Sequence, residues 1–155
     1  LAAYDPVFDD PSLDCSPVSI ARLWGNGDLT EITQEEDQVT IQHEWMDARR
    51  VVYLGSREHP TDTPENMLGH SIGWYEGNTL VIDTIGYPFG MLHQHPGLPH
   101  SDVLHTVERL TLSDTGDSFE LTYTAEDEKY FHDRLTGARS FVSSSETMRE
   151  YNCTH

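Results

Sequence analysis

The chain has 155 residues, 36% of them hydrophobic, which suffices for one domain with a real core. It carries 27 acidic residues against 9 basic ones, a formal charge of −18, and Lys129 is its only lysine. Such a surface repels polyanions, which argues against nucleic acid and anionic membranes as partners. No apolar run approaches the roughly 18–20 residues of a spanning helix.

Residues 1–18 hold three prolines and several aspartates ("YDPVFDDPSLDCSPVS") and read as an extended lead-in. From there to residue 155 the pattern is mostly period two, a single β domain. "QVTIQHEW" alternates Val39, Ile41, His43 and Trp45 with polar residues, and "RRVVYLG" is a second β-rich run. "HSIGWYEGNTLVIDTIGY" predicts a hairpin around Glu76-Gly77-Asn78. "VLHTVERLTLS" and "SFELTYTAED" predict another pair, with its turn at Asp114-Thr115-Gly116-Asp117. "ARSFVSSSETMREYNC" closes the chain as one or two strands. Helical periodicity is confined to "EDEKYFHDRL", short enough to be an irregular turn. The sum is an all-β fold of eight to ten short antiparallel strands. A small barrel, lipocalin-like or similar, is its natural closure because a barrel leaves no open edge. Two long loops, 56–68 and 86–101, interrupt the meander, and long loops in compact domains are where function concentrates.

The two cysteines, Cys15 and Cys153, lie near opposite ends. An even count in a lysine-poor chain makes one disulfide the expectation, with two unrelated buried thiols as the alternative. No signal peptide is visible, and Leu1-Ala2-Ala3 is open to reading as a remnant of processing.

Nine histidines dominate the candidate chemistry, four of them within "MLHQHPGLPHSDVLH". His93-x-His95 has a recurrent metal-ligand spacing, and His100 or His105 could add a third imidazole, leaving an open position as catalytic zinc sites do. The prolines around it make the segment a loop, where that geometry is not assured. Acid–base chemistry is the stronger reading. His105 and His100 stand near Asp102, and a histidine beside a carboxylate has a tunable pKa near neutrality. Asp83 shares its strand face with Val81 and Ile85, where a carboxylate is either paired or has a raised pKa. His70 shares a face with Ile72 and Trp74, and His43 with Val39, Ile41 and Trp45. If those faces line a barrel interior, His43, His70, Asp83 and His105 converge on one cavity walled by Trp74, Tyr53 and Trp45. Arg49, Arg50 and Arg109 could hold an anionic ligand, but in so acidic a chain they are expected to pair with Glu44, Glu108 or other carboxylates. There is no G-x-S-x-G elbow, no P-loop, no G-x-G-x-x-G and no C-x-x-C.

"GHSIGWYEGNTLVIDTIGY", then "PHSDVLHTVERL" and "YTAEDEKYF", resemble a group of exported bacterial proteins. That group carries G-H-S-x-G-x-x-E-G-[DN]-T-L-V-x-D-T followed by H-S-D-x-L-x-x-x-E-R. "CSP" and "REYNC" are similar to its first and last cysteine-bearing segments, so the resemblance spans about residues 12–153. It implies export and a compact β architecture and implies no particular activity. His70, Ser71, Trp74 (offset by one from the usual aromatic), Glu76, Asp83, His100, Ser101, Asp102, Glu108 and Arg109 fall on its motif positions. His93 and His95 do not. The group's acidic Asp-Pro turn is Asp127-Glu128 here, without its proline.

The expectation is a secreted or periplasmic small-molecule enzyme of lyase, hydratase or isomerase type. His105 or His100 would carry the proton, Asp102 or Asp83 would orient it, and His70 would assist. Two alternatives are a non-catalytic barrel binding a small hydrophobic ligand, and a metal-dependent enzyme centred on His93 and His95. No cofactor is expected under the first two readings, and a transition metal under the third. The partner is a small molecule, and the chain is a monomer or homodimer.

Overall fold

A computed structural model describes residue 5 and residues 7–16, 18–93 and 97–153. The period-two runs become strands where they were expected: β2 (Gln38–His43), β3 (Arg49–Leu54), β4 (His70–Glu76), β5 (Thr79–Ile85), β8 (His105–Leu112), β9 (Ser118–Glu126) and β10 (Leu135–Val142). Three more come from stretches with weaker patterning: β1 (Thr30–Gln34), β6 (Gly90–His93) and β7 (Leu98–His100). β6 and β7 lie inside the second long loop and form their own two-stranded sheet. The other eight form one sheet in the order β1-β2-β3-β4-β5-β8-β9-β10, which curls into a half-barrel. The segment after Glu126 is turns, and Leu135 already opens β10.

The barrel curvature is present, and its closure is partial. β1 and β10 end the strand order and do not pair. A four-residue helix, α1 (Ile20–Leu23), helps fill the interior instead, with Ile20, Ala21, Leu23 and the following Trp24 all buried. The Trp24 ring meets His43 of β2 at 4.8 Å, Phe141 of β10 at 5.3 Å and Phe119 of β9 at 6.1 Å. One indole thus joins the two ends of the curl through apolar burial. Ser19 caps α1 and also donates from Oγ to the Leu92 carbonyl at 2.7 Å, tying α1 to β6. The lead-in departs from a fully extended course at Pro11–Asp14, a 3-10 turn capped by Asp10. Cys15 and Cys153 are joined as a disulfide, which brings the two ends of the domain together.

One connection is not antiparallel. β3 and β4 pair in parallel, with Val52 opposite Ser71 and Tyr53 opposite Ile72. Parallel neighbours need a crossover of a dozen or more residues rather than a tight turn. The first long loop is that crossover, residues 55–69. β4 and β5, by contrast, turn in two residues, with Gly77 at φ 62° in the type II′ pattern.

The strand register sorts the side chains onto two faces. Val39, Ile41, His43, Arg50, Val52, Ile82, Glu108 and Leu121 face the filled interior with α1. His70, Ile72, Trp74, Val81, Asp83, His105, Val107 and Arg109 face the other way. Arg57 of the crossover lies over the Trp74 ring at 4.4 Å, so the crossover covers part of this outer face.

Candidate active site

The outer face and the crossover together build a chain of four titratable groups. His70 opens β4, Asp83 is the fifth residue of β5, and His105 opens β8. Because β5 lies between β4 and β8, alternation alone brings these three side chains to one region of one face. His59, from the crossover, completes the set. Its Nδ1 lies 2.9 Å from Nδ1 of His70, and its Nε2 lies 2.9 Å from Oδ1 of Asp83. Nε2 of His105 reaches both oxygens of Asp83 at 3.0 Å.

Hydrogen-bond chemistry assigns the protons along this chain. An ionised carboxylate only accepts, so Nε2–H of His59 and Nε2–H of His105 both donate to Asp83. His59 is then left with an acceptor at Nδ1, and His70 Nδ1–H donates to it. This leaves Nε2 of His70 as a bare acceptor. When His105 is protonated, its Nδ1–H is a donor.

Environment pushes the two terminal rings apart. Burial lowers the pKa of His70 below the ordinary 6.5, and the neighbouring His59 lowers it further. The hydrogen bond to Asp83 raises His105 above 6.5 and outweighs the opposing effect of burial. Burial of Asp83 acts to raise its pKa, but the hydrogen bonds from His105 and His59 prevail and hold it below 3.8. His105 is 38% exposed, so the chain ends at solvent. Tyr53 stacks on His70 at 5.3 Å with the rings 18° from parallel, walling one side.

The residues singled out in the sequence divide accordingly. His70, Asp83, His105 and Tyr53 come together. Trp74 and Arg109 share their face, but Trp74 donates from its indole to Glu76, and Arg109 pairs with Glu76 at 2.6 Å. His43 is on the opposite face, because its strand register aligns it with the interior set rather than with His70. The four-residue convergence expected in one cavity is therefore three residues on the outside plus His59. Asp102 orients neither His100 nor His105: its carboxylate is exposed and paired with Lys129 at 2.5 Å. His100 is buried and turned toward the Ser101 carbonyl, 3.1 Å from its Nδ1. Ser101 itself donates to the buried Asp127 from both its backbone N–H and its hydroxyl. Trp45 lies beside α1 under the Arg22 guanidinium.

Of the two histidines on which the metal reading rests, only His93 is among the described residues. Among the described residues no three His, Cys, Asp or Glu side chains are grouped to hold an ion. His93 sits 3.4 Å from the Tyr123 hydroxyl, and burial together with Arg139 and Arg22 lowers its pKa. Cations so close oppose a further positive ion. His95 lies outside the described residues.

His59 escaped the sequence reading. Its signal was its place in the 56–68 loop, too long for a hairpin and therefore fit to cross over a sheet face. The pairing expected for the interior arginine is present: Arg50 binds Glu108 in a bidentate bridge at 2.6 and 2.7 Å. No protein-family model matches the chain, and no curated protein or solved structure matches it.

Proposed function

We propose that this chain is an exported enzyme that moves a proton on a small molecule, of lyase, hydratase or isomerase type. His70 Nε2 is the base, His105 the acid, and His59 and Asp83 hold both rings in the required tautomers. The observation that carries the reading is Asp83 accepting from two imidazoles at 2.9 and 3.0 Å, with the outer rings shifted in opposite directions. Groups whose environments drive their pKa values apart supply an acid and a base at one pH. Export is supported by the Cys15–Cys153 disulfide, since such bonds persist in oxidising compartments.

An NMR titration of the histidine ring carbons tests the pair directly. His105 is expected to titrate above 6.5 and His70 below it, with Asp83→Asn lowering His105. Equal, ordinary values for the two rings sink the assignment. Turnover in a panel of dehydration and isomerisation substrates should trace a bell that straddles pH 6.5. The acid limb comes as His70 takes up a proton, and the alkaline limb as His105 loses one. His105→Ala should reduce that turnover by about 10²–10⁴-fold with the fold intact.

A further inference from the structure

A second site lies where the lead-in and α1 face the small β6–β7 sheet. A cavity of about 320 Å³ opens there, walled by Val18, Met67, Pro88, Phe89, Met91 and His100. It shares no lining residue with the His59–His70–Asp83–His105 chain. Its size is at the lower end of small-molecule pockets, about 300 Å³ and upward. Its walls are mostly apolar, and Phe89 is 63% exposed, with the Tyr130 ring 6.3 Å away.

Four polar residues line this cavity: Asp9, Ser19, Arg22 and His100. Exposed Asp9 accepts from the Asp5 N–H, the Ser19 hydroxyl donates to the Leu92 carbonyl, and Arg22 pairs with Asp10. His100 is the buried one with an acceptor to offer. His100 is only 5% exposed. Its Nδ1 faces the Ser101 carbonyl, which can only accept, so the proton sits on Nδ1 and Nε2 is left as an acceptor. Burial lowers the pKa of His100 and outweighs the opposing effects of Ser101 and Asp127, which keeps the ring neutral. Nε2 makes no hydrogen bond with any described residue. It lies against Gly90, a cavity-lining residue opposite His100 in the β6–β7 register. A Cβ at position 90 would stand 2.7 Å from Nε2, so glycine is what lets the imidazole edge reach the cavity.

The ligand chemistry follows from these groups. A mostly apolar cavity with a buried neutral acceptor, its other polar side chains already engaged, suits a molecule that is apolar except for one donor. Two methionine thioethers and a phenyl ring favour an aromatic body. The cation at the wall, Arg22, is engaged by both oxygens of Asp10 at 2.8 and 3.0 Å, and the chain carries a charge of −18, so an anion is disfavoured. We infer that this cavity binds a small neutral phenol, its ring between Met67, Phe89 and Met91 and its hydroxyl donating to Nε2 of His100.

The test uses the whole chain with 1-naphthol and 1-methoxynaphthalene, which differ in the donor and little else. Calorimetry should show one equivalent of 1-naphthol bound about tenfold more tightly than the methyl ether, the worth of one hydrogen bond. His100→Phe should abolish that preference, and His100→Gln, which keeps an acceptor, should restore part of it. Gly90→Val should block both probes. His105→Ala should leave both affinities unchanged, which separates this site from the acid–base one. Equal affinity for the two probes, or no binding of either, overturns the inference.

Discussion

The two faces of one sheet hold two histidine–carboxylate assemblies, and they are built to opposite ends. On the inner face, Glu108 is fully buried and takes a bidentate bridge from Arg50 together with the indole N–H of Trp24. His43 stands beside them, edge-on to Trp24, and burial and the nearby Arg50 push its pKa down to about 3. Among the described residues its Nε2 and the Nε of Arg50 have no hydrogen-bond partner. On the outer face, Asp83 and His105 are partly exposed, and the chain's terminal rings, His70 and His105, are shifted to opposite sides of 6.5. The same residue types serve structure on one side and, under the proposed function, proton chemistry on the other. What separates them is water. Without it a group is frozen in one protonation state, and with some of it the group can exchange.

The strongest way to break the comparison is to attack the inner carboxylate. Glu108→Ala leaves the Arg50 guanidinium buried without its counter-charge, and breaking a buried pair costs about 3–5 kcal/mol. Urea unfolding should show a loss of that order. The double variant Arg50→Met/Glu108→Leu removes both charges and should lose much less, because the desolvation penalty goes with them. A double variant as unstable as the single one would mean that the bridge, not the orphaned charge, decides the stability.

Acid sharpens the contrast next. His43 is held neutral in the fold to about pH 3, while an unfolded histidine protonates near 6.5. As pH falls from 6.5 toward 3 the unfolded state gains a proton that the folded state refuses. Stability contributed by His43 is therefore complete above 6.5 and declines by about 1.4 kcal/mol per pH unit below it. His105 has the opposite sign: its contribution is complete below 6.5 and is lost as pH rises through its raised value. The difference in unfolding free energy between wild type and His43→Leu, followed from pH 7 to pH 4, should show the slope. A difference independent of pH would mean that His43 takes up protons in the folded protein.

Much of this was legible from alternation. Val39 and Ile41 share the His43 face by their spacing, and all three are buried in the interior. Asp83 stood out as a carboxylate among apolar neighbours, and it is paired, one of the two outcomes such a residue allows. Which face is the interior was not legible. Both faces of β4 and β5 carry apolar residues, because the crossover covers the outer one, so period two alone could not separate His43 from His70. The parallel β3–β4 pair was missed for a related reason. Strand patterns carry no direction, and only the length of the 55–69 connection hinted at it. β6 and β7 were hidden by being short and by Pro99, which is tolerated because their sheet has two strands and hence only edges.

The smallest expected effect decides between the two carboxylates that stood near the histidines in sequence. Asp102 is three residues from His105, yet it lies exposed against Lys129, which holds its pKa below 3.8 through a hydrogen bond and its charge. Asp83 is twenty-two residues away and in contact. Asp102→Asn should therefore leave the His105 titration where it is, whereas Asp83→Asn should lower it, because the hydrogen bond that favours the imidazolium is removed. A surface pair of this kind contributes little, so Asp102→Asn should not move the unfolding midpoint either. If Asp102→Asn shifted His105 as much as Asp83→Asn did, the outer chain would not be the assembly these distances describe. The proton carrier would then belong to the loop after β7 rather than to the face shared by β4, β5 and β8.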